Sequence, residues 1–160
     1  MSIASGQESR CAGAENGKDV HFPSIDWFER LALVQADNEE TFRDFGPIDC
    51  TMVAKIDDQL FEIAFAGFGV TSIRRLTSLA EAAPSHFVVE GPLTVWREML
   101  ENIRAKGAPD LQHTLNYLTF PDVPMRVTGP DQLEIDAFYR YNESLQRFFN
   151  GAAKVPTTFR

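Results

Sequence analysis

The sequence predicts an α+β domain, a mainly antiparallel sheet with its helices on one face, and three observations carry that prediction. Apolar residues recur at helical spacing up to about residue 45 and then alternate with polar ones from residue 48 into the seventies. The alternating stretch is punctuated by the turn signals Asp57-Asp58-Gln59 and Gly67-Phe68-Gly69, which cut it into a hairpin and a third strand. The chain then closes on a long amphipathic helical pattern instead of on further strands.

Taken in order, residues 1–22 are Ser, Gly, Ala and charge without period, and are expected to form a disordered tail. One domain is expected over residues 23–152, with a short tail at 153–160. Ser24 is a good N-cap for a helix from Ile25 whose apolar arc holds Trp27, Phe28, Leu31, Ala32 and Val34. That arc is wider than a surface helix needs: either two neighbours cover it, or residues 25–34 form a homodimer contact. Residues 39–45 read as a short helical turn stopped by Gly46-Pro47. Ile48, Cys50, Met52, Ala54 and Ile56 alternate with Asp49, Thr51, Val53, Lys55 and Asp57, a half-buried strand. Phe61, Ile63 and Phe65 share one face of its hairpin partner. A poorer strand over 70–76 carries Arg74-Arg75, charge of the kind that protects a sheet edge. Residues 78–85 read as loop, 86–90 as strand, and Leu93, Trp96, Leu100 and Ile103 as the stripe of a helix ended by Gly107. A short helix with Leu111, Leu115 and Leu118 precedes a strand over 123–128. One closing helix over 131–150 bears Ile135, Phe138, Tyr141, Leu145 and Phe148.

At 160 residues the chain can bury a core of ordinary size, and its formal charge of −8 and pI of 4.8 argue against nucleic acid and against a polybasic membrane anchor. No stretch has the apolar length of a membrane span or the pattern of a signal peptide, so stable membrane insertion is not expected. Cys11 and Cys50 are too few for a disulfide framework, which fits a reduced, cytoplasmic protein. No metal or other cofactor is expected, because His21, His86 and His113 lack any partner at ligand spacing. Cys50 lies on the apolar register of its strand and reads as a small buried hydrophobe. Asp49, Asp57 and Asp58 lack the alternating acids and glycine of a calcium loop and read as turn residues. Arg126 should face solvent or a carboxylate, and Arg140 stands four residues after Asp136, at ion-pair spacing. His113 and Tyr117, also four apart, would share a helical face.

Three stretches together resemble the sterol-carrier-protein-2-like family of small lipid-binding domains. They are the hairpin from Met52 to Phe65 with its third strand, the run Phe87-Val88-Val89-Glu90-Gly91-Pro92-Leu93-Thr94-Val95-Trp96 into a helix, and Met125-Arg126-Val127-Thr128-Gly129 followed by the closing helix. The resemblance covers roughly residues 25–150. It implies a five-stranded sheet, an apolar tunnel beneath the helices, and binding of a fatty-acyl or sterol-like molecule without chemistry. The residues available to line such a cavity are Met52, Phe61, Ile63, Phe65, Phe87, Val89, Trp96, Met99, Leu100, Met125, Val127, Phe138, Tyr141, Leu145 and Phe148. The count of 13 Phe and 4 Met in so small a chain suits an adaptable apolar site. His113, Tyr117 and Arg140 are the candidates for a ligand headgroup. The rival expectation is a small cone-shaped α+β isomerase or dehydratase using Tyr117, His113 and Asp136 in an apolar pocket. Such enzymes end in long strands, and this chain is expected to end in a helix.

Overall fold

The computed structural model describes residues 18–119 and 124–159. The helix α1 (Ile25–Asp37) begins where expected: the Ser24 hydroxyl accepts a hydrogen bond from the Trp27 N–H at 3.0 Å and donates to the His21 carbonyl at 2.7 Å. Its arc buries Trp27, Phe28, Leu31 and Gln35. Neighbours within the chain cover that arc, β4 (Gly69–Leu76) on one side and, on the other, α6 (Asn142–Asn150) with the turn Gly151–Lys154. A short α2 (Glu39–Arg43) follows, anchored by the buried Phe42.

The hairpin pairs β2 (Cys50–Ile56) with β3 (Gln59–Ala66), Ile56 opposite Gln59 and Cys50 opposite Phe65. Asp57 turns it in the left-handed region, at φ 53°. The same Asp57 carboxylate accepts from the Leu93 N–H at 3.1 Å, so the hairpin tip caps α3 (Leu93–Lys106), whose own N-cap position is held by Pro92. β4 returns antiparallel to β3, with a bulge at Ala64/Phe65. β5 (Phe87–Gly91) then joins the far side of β2 in parallel, Met52 opposite Phe87, and β6 (Arg126–Thr128) pairs antiparallel with β5. The order of the 5-stranded sheet is β4-β3-β2-β5-β6. The sheet is therefore mixed. Residues 77–86 carry the chain across one sheet face, so β5 enters beside β2 running the same way.

Alternation sorts the strands into two faces. Met52, Ala54, Ile56, Phe61, Ile63, Phe65, Phe87 and Val89 meet the helices in one large cluster, while Val53, Leu60, Leu76 and Val88 form a small one on the opposite face. Val53, on the register expected to face water, is 0 % exposed because the crossing segment shelters it.

Three further expectations are corrected. The closing helix is two: α5 (Gln132–Arg140), capped by the Asp131 carboxylate on Glu134 N–H at 3.0 Å, and α6, separated at Tyr141 with φ −101° and ψ 11°. The break lets Phe138 meet Phe87 edge-on at 5.7 Å while Phe148 meets Phe65 at 5.2 Å. The short second helix is a 3-10 turn at Leu111–His113 followed by α4 (Leu115–Leu118), and Leu111 is left 77 % exposed. The ordered chain also reaches beyond 23–152: β1 (Val20–His21) pairs in parallel with β7 (Thr157–Thr158), and Phe22 is buried against Trp27 and Phe159. The rest of the expected tail, residues 1–17 with Cys11, lies outside the described residues, as do Val123 and Arg160. Among the described residues no helix is long and apolar enough to cross a membrane, and no group of acids, histidines or cysteines is placed to hold a metal.

Candidate functional site

The residues expected to line an apolar cavity all belong to the large cluster. Val127 and Tyr141 sit at its half-buried margin, and the others are buried in it. The sheet contributes Met52, Phe61, Ile63, Phe65, Phe87 and Val89. α3 contributes Trp96, Met99 and Leu100, and α6 contributes Leu145 and Phe148. Trp96 satisfies its indole N–H on the Lys55 carbonyl at 3.3 Å, so the largest side chain of the layer leaves no polar group stranded.

An open cleft of about 510 Å³ reaches this cluster from the surface. One wall is the end of α1 with α2, where Val34, Gln35, Asn38, Thr41 and Phe42 stand. The other is α6 with the turn behind it, where Arg147, Phe148, Asn150 and Lys154 stand, and Gly107 and Ala108 close the lip. Gly151 allows the walls to approach: a Cβ there would lie 3.1 Å from side-chain atoms of Leu31 and Val34. Gln35 is buried and gives its amide N–H to the Phe68 carbonyl, tying α1 to the β3–β4 turn. Arg147 lies over the Phe45 ring at 4.8 Å.

Only Phe148 of the expected cavity residues lines this cleft. Gln35, Asn38, Phe42, Arg147 and Lys154 escaped the sequence reading because they come from separate elements and form no motif.

The expected headgroup residues stand on three separate elements, the 3-10 turn, α4 and α5. His113 ends the 3-10 turn, and Thr114, extended at φ −77° and ψ 153°, caps α4 before Tyr117, so the two do not share a helical face. The His113 Nδ1 donates instead to Asp110 at 2.5 Å, and Asp110 also receives Lys106 at 3.2 Å and Asn102 at 3.1 Å. The bond from His113, helped by Lys106 and Asn102 against the opposing pull of desolvation, holds the Asp110 carboxyl at about 2. This knot ties down the segment that follows the Gly107–Ala108 lip. Arg140 stacks on Tyr141 at 5.9 Å, and Asp136 accepts from Gln132 at 2.8 Å; no ion pair joins Asp136 to Arg140 among the described residues. Of the rival acid–base set, His113 is engaged by Asp110, and Asp136 stands exposed on α5 beside Gln132.

Cys50 is half-buried, and burial first, then the nearby Asp49 and Glu134 carboxylates, push its thiol up to about 12. Its surroundings therefore favour the thiol over the thiolate. Asp49 receives the Gly67 N–H at 3.3 Å, in keeping with a turn role. Arg126 is exposed on β6, across from Glu90.

The other face of the sheet holds a buried carboxylate. Glu62, 3 % exposed, receives Arg74 at 2.8 Å and the Ala83 N–H at 2.8 Å. Burial alone would raise its pKa; the Arg74 and Ala83 hydrogen bonds outweigh burial and hold it below the ordinary value. Arg74 reaches on to the Glu81 carbonyl at 3.0 Å, and Glu81 binds Thr77.

No protein-family model, curated protein or solved structure matches the chain.

Proposed function

We propose that the protein binds and carries a hydrophobic small molecule beneath its helical layer, as the sterol-carrier-protein-2-like domains it resembles do. The observation that supports this reading is the meeting of Phe and Met side chains from sheet and helices in one cluster, with a cleft reaching that cluster at Phe42 and Phe148. Nothing in this reading asks for a reaction.

Native mass spectrometry of freshly purified protein tests the reading directly, since a co-purifying lipid would identify the ligand class. Leu145→Ala tests it a second way. Under a bound ligand, part of the Leu145 environment is exchangeable, and the substitution should cost about 1–2 kcal/mol and change the binding of a fluorescent fatty-acid or sterol probe. A loss of about 2–5 kcal/mol, in a protein whose wild type takes up no apolar probe, would leave an ordinary close-packed core and end the carrier reading.

A further inference from the structure

The protein is acidic, with 23 Asp and Glu against 15 Lys and Arg, yet the charged side chains lining the cleft are both cations, Arg147 and Lys154. Among the described residues neither has a carboxylate partner. The ion pairs go instead to Arg43, Lys55, Arg74, Arg97, Lys106 and His113. Arg147 rests on the Phe45 ring, which holds the guanidinium in place without neutralising it. The polar remainder of the lining is uncharged, with the Asn38 amide turned to the Val34 carbonyl and Asn150 receiving Gln146. A second groove, which shares Val34, Asn38 and Lys154 with the cleft, is lined by Arg30 and Asp37 as well. The C-terminus of α6 favours a cation such as Arg147 in its last turn, but that does not explain why no acid lines the opposite wall.

We infer that the cleft receives the anionic head of an amphipathic molecule, between Arg147 and Lys154, with its apolar chain laid against Phe42 and Phe148. This rests on the carrier reading and narrows it: the ligand is a carboxylate-bearing chain, and a neutral sterol is a poor substitute. The charge complementarity also suits the chain as a whole. Its net charge of −8 repels anions at long range, so a pair of cations without counter-ions among the described residues marks a place where an anion is drawn in.

Binding of dodecanoate, methyl dodecanoate and cholesterol to the full-length chain, read by displacement of an uncharged fluorescent probe, tests this. The expected result is dodecanoate binding about tenfold or more tighter than its methyl ester, a preference that shrinks as salt is raised. In the double variant Arg147→Gln, Lys154→Gln the preference of acid over ester should vanish, and Arg147→Lys should keep most of it. Equal binding of acid and ester to the wild type, or a folded double variant that keeps the preference, overturns the inference and leaves the carrier reading standing. Binding of none of the three overturns both. Should the double variant fail to melt cooperatively, the acid-to-ester ratio of the wild type and its salt dependence decide the matter.

Discussion

On one face of the sheet Phe28, Phe61, Phe87 and Trp96 lie fully buried under helices, and rings meet rings from Phe22 through Phe149. On the other face Val53, Leu60, Leu76 and Val88 are sheltered by residues 77–86, which offer only Ala82 as apolar cover. The first face is held by area removed from water. The second is held by directed bonds converging on two acids, Glu62 and Glu81. Area burial involves no protonation, whereas the crossing segment depends on carboxylates remaining ionised. One sheet therefore carries two kinds of stability, and they fail under different conditions.

The largest expected effect lies on the helical face. Phe28→Ala removes a ring packed against Phe22, Trp27, Phe61 and Phe149, and should cost about 3–5 kcal/mol in urea unfolding. A smaller loss would mean that this face is less tightly packed than its burial implies, and would weaken the contrast. On the other face Glu62→Ala should cost about 1–3 kcal/mol, since Arg74 is half-exposed and returns to water while the Ala83 N–H is stranded. Its sharper readout is local: cleavage by chymotrypsin at Leu79 should accelerate in Glu62→Ala and stay unchanged in a Phe28 variant compared at equal global stability. Uniform acceleration in both would show that the two faces open as one unit.

The smallest effect concerns the lip of the cleft. The Asp110 carboxyl is depressed from 3.8 to about 2 in the folded protein, chiefly by His113, so its contribution is complete above about pH 4 and is lost as pH falls toward 2. Glu62 is depressed as well, and loses its contribution over the acid range below its ordinary 4.5. Asp110→Asn should therefore lower the melting temperature on the plateau above about pH 4 and flatten the acid limb between about 4 and 2, the variant and the wild type converging toward pH 2. An unchanged acid limb would assign that limb to Glu62 and the crossing segment.

The helical face was the more legible of the two in the sequence. Ser24, the hairpin and the stripe of α3 each announce themselves within a few residues, because capping, alternation and helical period are local properties. The far face was read as solvent because Val53 alternates with buried residues, and only the path of residues 77–86 brings cover to it. The parallel β2–β5 pairing was hidden for the same reason: alternation states which face a residue takes and is silent on which strand lies beside it. Tyr141 breaks the closing helix without glycine or proline, so no residue-level signal marked it. The candidate cleft is built from residues far apart in sequence, Gln35 and Phe42 on one wall and Arg147 and Lys154 on the other, and pattern reading reached only Phe148.

The pairing of β1 with β7 has a consequence for how the chain is made. Trp27 donates its indole N–H to Thr157 Oγ1 at 3.0 Å, and Phe22 packs on Phe159, so early aromatic residues of the helical layer are completed by residues made far later in the chain. On a ribosome adding about 5–20 residues each second, Phe22 and Trp27 emerge and then wait roughly 7 to 27 seconds for those partners. Through that interval the nascent chain shows an aromatic patch that its own sequence cannot yet cover. The interval is the period in which a holding chaperone has something to grip, and it ends when residues 155–159 leave the ribosome.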